Sequence, residues 1–379
     1  MLTALRHYRE KRGLELEELA RRLSTKPERV ESWERGESLP RFRQLLRLAQ
    51  VLHIPVGYLF FEEPYEVEEI EVADLRVKRQ GVPFSDEFKA VLYDAQRKQE
   101  WLREMLVESG AEPLPFVGRF SIEDEPKAVA YDIKEVLRIT PEAAEEAGRW
   151  IEYLRTLNER IEDAGILVLR NSVVGNNTRR KLDVEEFRGF ALVDAYAPLI
   201  FVNSRDAIAA QIFTLIHELA HIWIGESAVS NLSLREPMRT LHKAPRVELF
   251  CNAVAAEFLV PEDSFKSGWD GSQLPSENAS RLAKQYKVSE LVVLRRALDL
   301  GFIDFKTFRE CIENLPRERV SQPEGGDFYK NLLVRNSKRL VLTLLRRVRE
   351  GRTTYLEAAR LLNVNHAVVA KLMEKLEIR

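Results

Sequence analysis

His217-Glu218-Leu219-Ala220-His221 interrupts one of the most apolar stretches of a 379-residue chain, Ile212-Phe-Thr-Leu-Ile-His-Glu-Leu-Ala-His-Ile-Trp-Ile-Gly225. The apolar pattern and terminal glycine predict a helix over about Asp206–Ile224, with Gly225 just past its end. On a helix, residues four apart lie one above the other, so His217 and His221 can point at one ion. Glu218 falls beside them, placed to hold a water on that ion rather than to ligate it. The chain has six histidines, and its composition yields only about 0.015 chance matches to such a pattern. Two imidazoles and a carboxylate buried among Ile, Leu and Trp with no partner would cost several kcal/mol, on the order of 2–7 for each uncompensated group. A metal centre is therefore expected, and zinc with three protein ligands suits it.

Spacing leaves the third ligand open among Glu226, Glu236, His242, Glu248, Asn252 and Glu257. A second helix is expected from Pro245, acceptable in a first turn, to Val260, where Pro261 stops it. Glu248 and Asn252 share a face of it with the small Ala255, which would let the two helices approach closely. Glu248 is favoured on that ground, ahead of Glu257 and His242, with Asn252 available to orient a ligand. The bland alternative makes Glu248 an ordinary acid near a helix N-terminus.

These residues carry a resemblance. HELAH, followed 27 residues after its second histidine by Glu248 within V-E-x-x-C-N-x-x-A-A-x-x-L-V-P, resembles the ImmA/IrrE zinc metallopeptidases across roughly Val117–Phe302. The resemblance implies a minimal, gluzincin-like zincin with one Zn2+ per chain. His217, His221 and Glu248 would be its ligands, Glu218 its catalytic base and Asn252 the orienting residue. It implies cleavage of an XRE-type repressor. His242, Arg239 and Tyr196 are candidates to stabilise an oxyanion, and Phe187–Val193 is expected as the edge strand for an extended substrate.

Residues 2–60 predict a helix over about 16–23, a turn at Ser24–Lys26 and a helix over 27–35 closed by Gly36, a helix-turn-helix. E-E-L-A-x-x-L, W-E-R-G, L-P and L-x-I-P-x-x-Y-L-F make this stretch similar to the XRE (lambda-repressor-like) domain. Lys26, Arg29, Ser32, Arg35, Arg41 and Arg43 are its candidate DNA contacts. Glu28 and Glu31 oppose phosphate, and Glu15-Leu16 stand where that family usually has T-Q. Operator binding and protein docking or dimerisation therefore both remain open.

Charge is uneven. Met1–Phe61 holds 12 Lys/Arg against 8 acids, Glu62–Glu71 six Glu and no base, and Tyr329–Arg379 12 Lys/Arg against 4 acids, although the net charge is only −2. Basic ends fit nucleic-acid contact or solvated helix faces. Two cysteines exclude a disulfide framework. No apolar run reaches 18 residues and no signal-like N-terminus is visible, so a cytoplasmic protein is expected.

The remaining pattern predicts a helix over 85–109 capped by Ser85 or Asp86, a break at 111–118, and helix over 126–164. Strands are expected at 166–170, 187–193 and 198–202, the only convincing ones. Two further bihelical patterns lie at Asn278–Leu300 and Thr353–Leu376. Packing onto the peptidase domain or nucleic-acid contact are the two readings of the second. The fold class expected is a multidomain chain, mostly α with a small α+β domain. It divides into 1–61 (XRE helix-turn-helix), 62–116 (acidic linker and connecting helix), 117–271 (zincin), 272–325 (helical extension) and 326–379 (basic helical segment). The function expected is a site-specific zinc endopeptidase acting on an XRE repressor, with operator DNA as a second partner and homodimerisation open. The alternative is an XRE regulator or antitoxin whose zincin domain is idle or binds a partner.

Overall fold

A computed structural model describes residues 4–60, save 13, 53 and 55, together with 84–230, 246–315 and 327–376. The expected acidic linker, Glu62–Glu71, lies outside the described residues, as do Glu236, Arg239 and His242. The chain forms two compact units, Met1–Glu71 and Val72–Arg379.

The first unit is all-α: α1 (Ala4–Lys11), α2 (Leu16–Leu23), α3 (Pro27–Glu34), α4 (Phe42–Leu52) and a 3-10 turn at Val56–Phe60. Leu5, Tyr8, Leu19, Val30, Trp33, Leu48, Leu52 and Leu59 make its core. Ser24 takes a left-handed conformation (φ 53°) that ends α2, and Thr25 N–H closes back on Ala20 O. Pro27 opens α3, where its missing N–H has no partner to lose. Arg9 ties α1 to α3 through Glu34, with Nε 2.6 Å from its carboxylate.

The second unit carries α5 (Asp86–Glu108), α6 (Pro126–Leu137), α7 (Ala143–Glu146), α8 (Trp150–Asp163), β1 (Leu167–Asn171), β2 (Val173–Val174), β3 (Asn177–Lys181), β4 (Gly189–Leu192), β5 (Leu199–Asn203), α9 (Ile208–Ile224) and β6 (Ala228–Ser230). After these come α10 (Arg246–Leu259), α11 (Glu262–Gly268), α12 (Pro275–Tyr286), α13 (Glu290–Asp299), α14 (Phe305–Asn314), α15 (Phe328–Asn336), α16 (Lys338–Arg349), α17 (Tyr355–Leu361) and α18 (His366–Lys375). No helix among the described residues is long and apolar enough to cross a membrane.

Four strands form one sheet in the order β1-β5-β4-β6, with β1 parallel to β5 and β4 antiparallel to both neighbours. Every residue of β4 and β5 is buried, which requires cover on both faces. Val168, Ala191, Ile200 and Val202 face a core with Ile212, Leu215 and Leu219 of α9 and Val254 and Phe258 of α10. Leu167, Leu169, Phe190 and Phe201 face the other way, against Phe88 and Leu92 of α5 and Leu332, Leu340 and Leu344 of α15 and α16.

The helix assigned above to a connection, α5, is thus a wall of the core, capped by Ser85 Oγ accepting from Phe88 N–H. The 111–118 break ends a helix without separating one folded body from another. Gly118 and Phe120 N–H donate to Ile222 and Trp223 carbonyls at the end of α9, and Phe116 stacks on Trp223 at 4.5 Å. The helical stretch 126–164 is three helices, because Arg138 (φ 52°) ends α6 and Gly148 (φ 67°) precedes α8.

Two further strand groups depart from expectation. β2 and β3 form a hairpin whose polar second strand, Asn-Thr-Arg-Arg-Lys, has no apolar alternation to announce it. The expected edge strand is a correction: β4 is paired on both sides, by β5 and by β6. The chain leaves α9 at Gly225, and Ser227 Oγ accepts from Val193 N–H, which sets Ala228–Ser230 along β4.

Candidate metal centre

The centre is built by two helices, each recruited for a different reason. α9 is apolar on every side and buried from Gln211 to Ile224 save Phe213, as expected of a helix at the heart of a domain. Gly225 (φ 76°) ends it in the left-handed conformation glycine adopts without strain. α10 packs along α9. Ala220, Cys251 and Ala255 are small and fully buried on these two helices.

His217, His221 and Glu248 meet there, the one such group of histidine, cysteine and acidic side chains among the described residues. The two Nε2 atoms lie 3.1 Å apart. Each stands 3.2 Å from an oxygen of Glu248, Oε2 for His217 and Oε1 for His221. Tetrahedral ligands at zinc distances of about 2.0–2.1 Å would stand roughly 3.3–3.4 Å apart, so the spacing suits that ion. His217 Nδ1 lies 3.0 Å from Asn252 Oδ1. A proton on Nδ1 then leaves Nε2 with its lone pair toward the group. His221 Nδ1 is buried without a hydrogen-bond partner among the described residues.

The charges point the same way. Burial pushes both imidazoles toward their neutral forms. It prevails at His221, while at His217, although burial is the largest single influence, the hydrogen bonds to Glu248 and Asn252 and the charges of Glu248 and Glu218 together outweigh it and raise that pKa. Burial also works against the Glu248 carboxylate, but the two imidazoles outweigh it and hold the group well below the usual carboxylate range. Two nitrogens and a permanent anion, His2Glu, are a donor set for a divalent ion such as zinc. Burial, with Glu248 and Glu218 nearby, drives the Cys251 thiol well above its ordinary pKa, which leaves it protonated and a poor ligand.

Glu218 is fully buried and faces Gly189 at the start of β4. A Cβ on Gly189 would stand 2.6 Å from Thr214 Cγ2, 2.8 Å from Phe201 O and 3.0 Å from Glu218 Oε1. A lone glycine in a strand signals such a close approach, and that is the signal sequence reading passed over here. Gly189→Ala is expected to overpack this corner and destabilise the fold by about 1–3 kcal/mol, while metal content stays native. Thermal unfolding with elemental analysis of the same sample checks both; an unchanged melting point would mean that the corner relaxes freely.

Among the other third-ligand candidates, Glu257 is held by Arg296 of α13 and by Glu262 N–H, and Glu226 is exposed. Tyr196 sits beyond the far end of β4 from Gly189, its N–H on Asp194 Oδ1.

In the first unit, Lys26, Arg29 and Ser32 line one shallow depression with Ser24, Thr25 and Glu28. Arg41 and Arg43 are exposed at the start of α4. Arg35 pairs with Glu31, so one of the two acids that oppose phosphate is neutralised and one base is spent.

Residues 161–298 match the family described as the IrrE N-terminal-like domain, peptidase M78, and residues 5–59 match a helix-turn-helix family. No curated protein matches the chain.

Proposed function

We propose that this chain, an ImmA/IrrE-type metallopeptidase with an N-terminal XRE helix-turn-helix domain, is a cytoplasmic zinc endopeptidase that cuts an XRE-type repressor at one bond. The observation that carries the reading is the convergence of His217, His221 and Glu248 with all three ligand atoms within 4.8 Å of one another. His217, His221 and Glu248 hold the ion, and Asn252 orients His217. When bound, zinc supplies Lewis-acid polarisation of a carbonyl and an acidified water, with a pKa near about 7.

Glu218 does the proton work. Its carboxylate takes a proton from the attacking water as the C–O bond forms, then delivers it to the leaving amine nitrogen as the C–N bond breaks. Full burial keeps it out of bulk solvent. Lys26, Arg29, Ser32, Arg41 and Arg43 serve the first unit either on operator DNA or on the partner repressor. With β4 paired on both sides, it is not the strand that an extended substrate joins, and selectivity is assigned to docking of a whole partner.

Metal content tests the ligand set. One zinc per chain is expected, lost with His217→Ala, His221→Ala or Glu248→Ala and kept with Glu218→Gln. Full retention in Glu248→Ala would move the third ligand elsewhere.

A further inference from the structure

The basic C-terminal stretch is placed in the fold with a property the peptidase reading does not use. α16, α17 and α18 pack in sequence, α16 on α17 and α17 on α18. A four-residue turn joins α17 to α18, with Asn363 in the left-handed region (φ 56°). Asn365 caps α18, its side chain accepting from Val368 N–H. Val369 and Leu372 bury one side of α18, while His366, Ala367, Ala370, Lys371 and Glu374 face solvent. Two helices joined by a tight turn, the second with one side free, have the connectivity of a helix-turn-helix. At ten residues, α18 is about 15 Å long, and a helix of its diameter enters a major groove about 12 Å wide.

The β2–β3 hairpin lies against that turn. Asn176 Nδ2 donates to Asn363 O at 2.8 Å, and Arg335 donates to Asn176 Oδ1 at 3.0 Å. Along β3, Arg180 turns inward to Glu87 of α5 at 3.1 Å. Its neighbours Arg179 and Lys181, on the opposite face of the strand, are exposed. Neither forms an ion pair among the described residues, and nor do the exposed Arg360 of α17 and Lys371 of α18. Exposed acids on α17 and α18 are Glu357, which accepts from Trp101 Nε1, and Glu374. Side chains almost two hundred residues apart in sequence thus join the hairpin to the turn, where Asn363 Nδ2 also donates to Asp94 Oδ1 of α5 at 2.9 Å, and hairpin, α17 and α18 each carry an exposed cation with no ion pair among the described residues.

We propose that the α17–α18 unit and the β2–β3 hairpin form a second surface for duplex DNA, separate from the first unit. α18 lies in the major groove, and Arg179 and Lys181 of the hairpin, with Arg360, sit on flanking phosphates. Unpaired cations favour a polyanion through counterion release. A free helix face beside a basic hairpin suits a duplex groove better than the splayed bases of single-stranded RNA. The inference is independent of the peptidase chemistry.

The test uses the full chain in a background of Arg29→Ala, Arg41→Ala and Arg43→Ala, which removes cations of the first unit. Binding of a fluorescent random-sequence duplex of about 20 base pairs is followed against salt. Binding persists in that background. Adding Arg179→Ala, Lys181→Ala and Lys371→Ala weakens it at least tenfold at low salt and lowers the salt slope by about 0.9 for each lost phosphate contact. Arg179→Lys with Lys181→Arg and Lys371→Arg restores it. All three altered residues are exposed, so an unchanged melting point checks the fold. The proposal is overturned if the background abolishes duplex binding, if the added alanines change neither affinity nor slope, or if single-stranded RNA of equal length binds more tightly than duplex.

Discussion

Glu218→Gln is expected to slow repressor cleavage by roughly 10²–10⁴-fold, the range a positioned general acid–base contributes, with native zinc content. Glutamine keeps the shape of the side chain in its corner against Gly189, where a single Cβ would already stand 3.0 Å from Glu218 Oε1. The amide can still hydrogen-bond a water but cannot take its proton. Initial rates on the repressor, read beside elemental analysis of the same preparation, decide it. Cleavage within tenfold of native would remove Glu218 from proton transfer, and zinc loss would make it a ligand.

The second large effect concerns what is cut. The full chain is expected to cleave a folded XRE repressor at one bond while casein and short generic peptides are scarcely touched. A bare metal centre with one base offers little selectivity, so remote contacts must position the scissile bond. Residues 1–61 include every described residue of one compact unit and none of the metal ligands. Their deletion should therefore leave zinc bound. A docking module raises the effective concentration of a partner, and avidity gains of about 10²–10⁴ are common for linked sites. Repressor cleavage by the truncated chain should fall on that scale. Unchanged cleavage would assign the first unit to DNA, and comparable cleavage of casein would dispose of docking.

Much of this centre was legible because it is local. The i,i+4 histidines and Gly225 define α9 within seventeen residues, and the structure places that helix at Ile208–Ile224. α10 was legible from its stop at Pro261. Spacing alone left Glu248 among six candidates, because which face of α10 meets α9 is a tertiary fact. Burial of β5 on both faces could be suspected from Leu-Ile-Phe-Val, yet nothing in those letters says that α5 supplies one wall and α9 the other. Three residues, Ala228–Ser230, are too few for periodicity to identify, so the strand that closes off β4 could not be foreseen. The hairpin's second strand, Asn177–Lys181, was hidden for the opposite reason: its residues are polar, and the hairpin's position is set by Asn176 on a carbonyl far along the chain.

The two-sided burial of the central sheet also governs when the folded unit around the candidate metal centre can first exist. A ribosome makes α9 and α10 long before it makes α15 and α16, whose Leu332, Leu340 and Leu344 cover the sheet's second face. At about 5–20 residues per second, the interval from the end of α10 to the end of α16, about 90 residues, lasts roughly 5–20 s. Throughout it the histidines are translated but the sheet that carries β4 past Glu218 is bare on one side. Completion of the sheet that backs the metal-ligand helices is therefore a late event in biosynthesis, and a nascent chain stalled short of α15 exposes apolar surface that invites chaperone capture.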